Sequence, residues 1–68
     1  MNNKSQQVLN QNLGLFKLFI YRLEAINGVK PGNEAKRSVM NALLAEMNDE
    51  MAKKSFIDIC FFKYDTKL

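Results

Sequence analysis

The sequence predicts an all-α protein, a long antiparallel helical hairpin followed by a short C-terminal helix. The first observation is an apolar stripe whose members recur at intervals of four and three residues, as on one face of an α-helix. Its members are Leu9, Leu13, Phe16, Ile20 and Leu23. A second stripe of the same period follows, and the turn-forming segment NGVKPGN at 27–33 separates the two. Two helices joined by a short turn predict a hairpin.

The first helix is expected over residues 5–27, with Ser5 as its N-cap. Leu15, Phe19 and Ile26 lie beside the main stripe and widen the apolar arc to about 160° at 100° per residue. One neighbouring helix of the same chain does not cover so wide an arc. The sequence therefore predicts that a further surface covers this helix.

Glycine, proline and asparagine define the turn, which is expected over residues 28–33. Gly28 suits the position after a helix end, where glycine adopts a positive φ without a steric clash. Pro31 and Gly32 suit a turn whose second central residue has a positive φ. Asn33 suits the N-cap of the next helix.

The second helix is expected over residues 34–54, because Met40, Leu44, Met47 and Met51 recur at intervals of four, three and four. Two interpretations of this methionine stripe are open. Most such stripes pack in a core, and a minority form adaptable binding surfaces, because the unbranched thioether side chain repacks against varied partners.

The last element, expected over residues 56–64, also has two interpretations. β-branched and aromatic residues dominate the segment FIDICFF, which favours a strand. Ile57, Cys60 and Phe61 have helical spacing, and Ser55 suits the start of a helix. Because the sequence offers no second strand for pairing, we favour a third short helix and keep a strand as the alternative.

The length of the chain limits its stability. A chain of 68 residues forms one domain, residues 1–68, and buries only about 60% of the surface that its unfolded form exposes. One core of this size supplies roughly 3–5 kcal/mol of net stability or less. Cys60 has no partner for an internal disulfide, and one thiol without histidine makes no zinc site. Oligomerisation or docking on another protein is the remaining source of stability.

We therefore expect a homodimer that meets through the wide face of the first helix and the C-terminal aromatics. Two hairpins related by a two-fold axis form a four-helix core, which buries what one hairpin leaves exposed. The residues predicted for the core or the dimer seam are Phe16, Phe19, Leu23, Met40, Leu44 and Met47.

The sequence predicts no catalytic, cofactor-binding or metal-binding residue. General acid–base catalysis usually uses histidine or a carboxylate in a shaped pocket. The chain has no histidine, and the cluster of Glu46, Asp49 and Glu50 is typical of a solvated helix face. Cys60 lacks a histidine to activate it, and apolar neighbours disfavour a thiolate. We predict a non-enzymatic protein.

The apolar segments of the chain do not predict a membrane span or a signal peptide. The start, MNNKSQQVLNQN, is polar, and the longest apolar run, LGLFKLFIYRL at 13–23, is shorter than the roughly 20 residues that cross a bilayer. A single unpaired thiol is typical of a reducing compartment. The sequence therefore predicts a cytoplasmic protein.

The surplus of apolar residues predicts a protein-binding regulator or inhibitor that docks an apolar helical surface on a larger protein. The residues predicted to form that contact are Phe56, Ile59, Phe61 and Phe62. By analogy of size and composition alone, the chain suits the small accessory proteins with which phages and other mobile elements block or redirect host proteins.

A small dimeric nucleic-acid-binding protein is the alternative. The net charge of +3 permits contact with nucleic acid, although the basic residues are spread along the chain without a dense block. A helix that follows a turn presents the polar residues of its first turns to base edges in helix-turn-helix proteins. Here those residues are Asn33, Lys36, Arg37 and Asn41.

Overall fold

Helices supply all the regular structure of residues 3–63, the part of the chain that the computed structural model describes. Side-chain surroundings are described as far as residue 61. The first helix, α1, spans Asn3–Asn27, α2 spans Asn33–Leu44 and α3 spans Glu50–Asp58. A π-helical turn, Ile59–Lys63, continues α3. This confirms the all-α prediction, and the C-terminal element is helical rather than a strand as far as residue 63.

Helix α1 buries the stripe that its spacing predicts. Leu9, Phe16 and Ile20 are buried, and Leu13 and Leu23 are half-buried. The predicted N-cap is wrong, because α1 is already helical at Asn3 and Ser5 lies within its first turns. The Ser5 side chain hydrogen-bonds to the carboxylate of Asp49 instead.

The turn between α1 and α2 agrees with prediction at its start and differs at its end. Gly28 has a φ of 77° and its N–H donates to the Glu24 carbonyl at 2.8 Å, which is the predicted helix C-terminus. Gly32 has no positive φ: its backbone is extended, with φ −79° and ψ 179°. Gly32 rather than Asn33 is the N-cap, because α2 begins one residue earlier than predicted and Asn33 is already helical.

The single helix predicted over residues 34–54 is wrong, because the chain leaves the helix at Leu44 and re-enters one at Glu50. Hydrogen bonds of the 3₁₀ type, from the N–H of residue i+3 to the carbonyl of residue i, end α2. The Glu46 N–H donates to the Leu43 carbonyl at 3.2 Å, and the Met47 N–H donates to the Leu44 carbonyl at 3.0 Å. Bonds of this type close the last turn of a helix and satisfy its free carbonyls.

Asp49 begins α3. Its backbone is extended, and its side-chain Oδ1 accepts hydrogen bonds from the N–H groups of Met51 at 2.8 Å and Ala52 at 3.2 Å. Short polar side chains such as Asn and Asp favour a cap over a helix interior, because they compete for backbone hydrogen bonds. Because α3 begins at Glu50, Ser55 lies inside the helix rather than at its start. The predicted start of the last element is therefore wrong.

The buried Asn12 side chain ties α1 to the end of α2. Its Nδ2 donates to the backbone carbonyl of Leu43 at 3.2 Å, and Asn12 is only 6% exposed. The Leu43 carbonyl also accepts from the Glu46 N–H, so the Asn12 side chain uses the second lone pair of this oxygen. This bond joins residues 31 apart in the chain and links the middle of α1 to the end of α2.

The core is formed where the three helices meet. The aromatic rings of Phe16 and Phe56 pack edge to face, with centroids 6.2 Å apart and an interplanar angle of 84°. The buried apolar residues around this pair come from every element: Leu9, Phe16, Ile20, Met40, Leu43, Met47, Ala52, Phe56 and Cys60.

Candidate protein-docking surface

The predicted contact set at the C-terminus does not form one exposed patch. Phe56 is fully enclosed at 0% exposure, so its prediction as an outer contact is wrong. The break before α3 turns Ala52, Phe56 and Cys60 toward α1, one turn apart on one face of the helix. Ile59 is half-buried, and the Phe62 side chain lies outside the described residues.

Phe61 is half-buried and packs against the core. The guanidinium of Arg37 lies over its ring, with Cζ 5.7 Å from the ring centroid. A cation over an aromatic face is worth about 0.5–1 kcal/mol at an exposed site. The contact links α2 to the end of α3 and leaves Phe61 only partly available to another molecule.

The residues predicted for the core or dimer seam separate into two groups. Phe16, Met40 and Met47 lie in the core, and Leu23 and Leu44 are half-buried beside it. Phe19 is 41% exposed and points away from the core. The seam prediction therefore describes the interior of one chain for most of its members, while Phe19 belongs to an outer surface.

That outer surface is the α1–α2 face, defined by residues from two antiparallel helices: Leu15, Leu18, Phe19, Arg22 and Ile26 from α1, and Ala35, Ser38, Val39 and Ala42 from α2. Leu15, Phe19, Arg22 and Ile26 follow one another at intervals of four, three and four, so they share one side of α1. Leu15 is 40% exposed, Leu18 41% and Ile26 78%. Large apolar side chains thus line the outer side of the hairpin.

A shallow groove of about 320 Å³ runs between the two helices of this face. Its walls are Phe19, Ser38, Val39, Ala42 and Leu43, and almost all of its surface is apolar. The wide arc of α1 predicted a second covered surface, but the contribution of α2 was missed. The available signal was the row of small residues, Ala35, Ser38 and Ala42, at intervals of three and four.

The four residues proposed for nucleic-acid contact do not form a basic surface patch. Lys36 is buried, at 5% exposure, on the side of α2 that faces the core. Asn33, Arg37 and Asn41 are exposed and one turn apart, but Arg37 lies over Phe61. One arginine flanked by two amides is a weak footprint for phosphate contact.

A second cleft of about 210 Å³, lined by both polar and apolar side chains, lies at the opposite end of the hairpin, between the start of α1 and the start of α3. Hydrogen bonds from the Ala52 N–H, the Ser5 side chain and the Met51 N–H hold the pKa of the Asp49 carboxyl below its ordinary value of 3.8. The carboxylate therefore caps α3 and joins it to α1. These contacts explain Asp49 without a ligand.

The low pKa of Asp49 predicts a specific loss of stability in acid. A carboxyl whose pKa is lower in the folded chain than in the unfolded chain stabilises the fold above the unfolded pKa, and this contribution is lost as the pH falls through the folded pKa. We expect the urea midpoint of the wild type to fall below about pH 4. The Asp49→Asn variant keeps a capping side chain that does not titrate, so its midpoint should fall less over the same range.

Ser5→Ala is the companion variant, because it removes one donor and should bring the pKa of Asp49 closer to its ordinary value. The acid-dependent loss should then be smaller than in the wild type. Parallel midpoint curves for the wild type and Asp49→Asn between pH 5 and pH 2 would contradict the assignment.

Metal-binding groups and membrane-spanning helices are absent from the described part of the chain, and its one thiol is buried. No group of three or more metal-ligating side chains comes together among these residues. Cys60 is enclosed in the core. None of the described helices is long and apolar enough to cross a membrane.

Comparison with known proteins gives no relative: no family model, curated protein or solved structure matches this chain.

Proposed function

We propose that this chain is a non-enzymatic protein-binding regulator or inhibitor, which docks the α1–α2 face on a larger partner protein. The observation that carries the proposal is the exposure of Leu15, Leu18, Phe19 and Ile26 beside an apolar groove. Apolar patches of this kind, at the surface of a small domain, mark sites of protein interaction.

The magnitude of the apolar exposure supports docking. Burying one large apolar side chain completely contributes about 1.5–3 kcal/mol. Leu15, Leu18 and Phe19 each retain about 40% of their surface and Ile26 retains 78%, which together correspond to about two whole side chains. Covering them is worth about 3–6 kcal/mol before the cost of association. A micromolar complex requires about 8 kcal/mol, so the face supplies a large part of that free energy.

The shape of the face favours a helical ligand. Two antiparallel helices with an apolar groove between them receive the apolar side of an amphipathic helix, whose anchors recur every three or four residues. The small side chains of Ser38 and Ala42 let such a helix approach α2 closely. We propose this mode of docking for a partner in the cytoplasm, of the kind that small phage-encoded proteins bind.

Photo-crosslinking inside cells of the native host tests the proposal. A benzophenone amino acid replaces Phe19 in one variant and Met51 in a matched variant, because Met51 is also exposed, at 63%, but lies on α3. We expect position 19 to give an adduct heavier than two copies of the chain, and position 51 to give none. When the crosslinking is repeated in cell extract, the adduct should form equally at low and high salt, because apolar docking resists salt.

Two results would overturn the proposal. Equal adducts from positions 19 and 51 would mean that the α1–α2 face has no preference for a partner. Adducts that contain nucleic acid and disappear at high salt would favour the nucleic-acid alternative, since phosphate contacts weaken steeply with salt.

A further inference from the structure

On the α1–α2 face, the exposed side chains of α1 are mostly large and those of α2 are mostly small. Helix α1 contributes the large side chains Leu15, Phe19 and Ile26, whereas three of the four residues from α2, Ala35, Ser38 and Ala42, are small and the fourth is Val39. The groove lies on the α2 side of Phe19. The α1 side of this face therefore projects and the α2 side is recessed. Two copies fit together when α1 of each copy lies on α2 of the other.

The same two helices carry opposite charges at this face. Arg22 lies in the stripe of Leu15, Phe19 and Ile26, and it is exposed. Glu34 is exposed on α2, one helical turn before Ser38. Neither side chain takes part in an ion pair among residues 3–61. Each copy of the chain therefore presents one basic and one acidic position at its own docking surface.

We propose that the α1–α2 face also binds a second copy of this chain, through a two-fold axis that runs along the hairpin. This axis lays α1 of each copy on α2 of the other. The large side chains of α1 then meet the small side chains of α2, and Arg22 of each copy faces Glu34 of the other. Every contact occurs twice, as in any isologous interface.

The spacing along the helices permits this ion pair. Arg22 lies five residues before the end of α1 at Asn27, and Glu34 lies one residue after the start of α2 at Asn33. Since the two helix ends flank one short turn, the two positions differ in height by about one helical turn, at 1.5 Å per residue. An arginine side chain spans that distance.

The alternative axis, which runs across the hairpin, is less favourable. It lays α1 on α1, so Leu15 and Phe19 meet equally large side chains and the groove stays empty. It also lays Arg22 on α1 of the other copy, which contributes the same arginine and no acid to this face. Glu34 then lies on α2 of the other copy, where the acid at this face is again Glu34. The complementarity of size and the complementarity of charge thus select the same axis.

The size of the face indicates a weak dimer. Helix α2 has 12 residues, which is about 18 Å of helix, and two packed helices are about 20 Å wide. The resulting footprint of about 360 Å² is smaller than the roughly 800 Å² per partner of a stable complex. Self-association is therefore concentration-dependent, and a larger partner displaces the second copy from the same face.

This inference rests on the proposed function only in using the same face, and the two fail separately. Self-association is measured on the pure chain, whereas target docking is measured by the mass of the adduct in cells. A monomeric chain that still forms a heavy adduct would remove the dimer and keep the proposed function.

Sedimentation of the full chain between about 1 µM and 1 mM tests the dimer. We expect the wild type to shift from one copy toward two over this range. Arg22→Glu and Glu34→Arg should each weaken self-association by roughly tenfold, because each places like charges together at two symmetric positions. The double variant exchanges the two charges and should return the association to within about threefold of the wild type.

Two matched variants control the result. Lys17→Glu makes the same charge change on α1, but Lys17 lies about 140° around the helix from Arg22, so it should leave self-association unchanged. Ala42→Trp fills the groove at an exposed position and should weaken self-association without loss of helix content. A wild type that is monomeric at 1 mM, a double variant as weak as the single variants, or an equal effect of Lys17→Glu would overturn the proposal.

Discussion

Replacing Phe56 with alanine is expected to leave most of the protein unfolded at room temperature. The ring is fully enclosed, packs edge to face on Phe16 and belongs to the cluster that joins all three helices. Truncating a buried phenylalanine to alanine costs about 3–5 kcal/mol, because apolar contacts are lost and a cavity remains. The whole chain has roughly 3–5 kcal/mol of stability or less.

Far-ultraviolet circular dichroism during a urea titration measures this effect. Ile57→Ala is the matched control, because the neighbouring side chain is 36% exposed on the same helix and should cost far less. Phe56→Leu should fall between the two, since leucine fills part of the cavity. Equal midpoints for Phe56→Ala and Ile57→Ala would show that α3 does not pack on α1 as described.

Replacing Asn12 with aspartate is expected to cost about 3 kcal/mol or more at pH 7. The Asn12 side chain is buried and its Nδ2 donates to the Leu43 carbonyl. A carboxylate at this place cannot donate a hydrogen bond, and its negative charge faces the Leu43 carbonyl oxygen. It is also removed from water without gaining a partner, and a buried unpaired charge is among the most destabilising changes. The Glu46 N–H still donates to the same carbonyl, so the effect arises from the buried charge rather than from the carbonyl.

The pH dependence of the Asn12→Asp variant distinguishes this cause from a simple loss of packing. Burial raises the pKa of the introduced carboxyl, and its protonated form donates a hydrogen bond again. The difference in urea midpoint from the wild type should therefore shrink as the pH falls from 7 toward 5, before Asp49 begins to titrate. Asn10→Asp, an exposed position on α1 that only accepts a hydrogen bond from Gln6, is the control and should change little at any pH. A difference that stays constant with pH would contradict the buried hydrogen bond.

The parts of the fold that local sequence determines were predictable. The stripe of α1 has one regular period, and Gly28 marks the helix end because its positive φ is a property of that residue. The all-α class follows from these two elements and from the lack of a second strand candidate.

The break between α2 and α3 was not predictable from periodicity. Met40, Leu44, Met47 and Met51 predict one continuous face, yet Met51 is 63% exposed in the structure. The buried side of α2 begins at Lys36, and its spacing of four, three and four leads through Met40 and Leu43 to Met47. A lysine is an unexpected first member of a buried stripe, so residue type alone favours the stripe that contains Leu44.

The candidate surface was predicted in part. The apolar arc of α1 correctly indicated more apolar surface than one neighbouring helix covers, and Phe19 lies on it. The choice between Phe56 and Phe19 as an outer residue depends on how α3 is rotated about its axis. The Asn12–Leu43 and Ser5–Asp49 hydrogen bonds tie α1 to the segment that leads into α3, and both join residues distant in the chain. Such contacts leave no signal in the local spacing.

The division of the second half of the chain has a consequence for how the protein folds. Helices α2 and α3 have 12 and 9 residues, and isolated helices shorter than about 12–15 residues are marginal in water. Neither therefore persists as a helix unless α1, with 25 residues, offers it a surface. Folding is cooperative for this reason: α1 serves as the template, the two shorter helices form on it together, and damage to any one of the three releases the others.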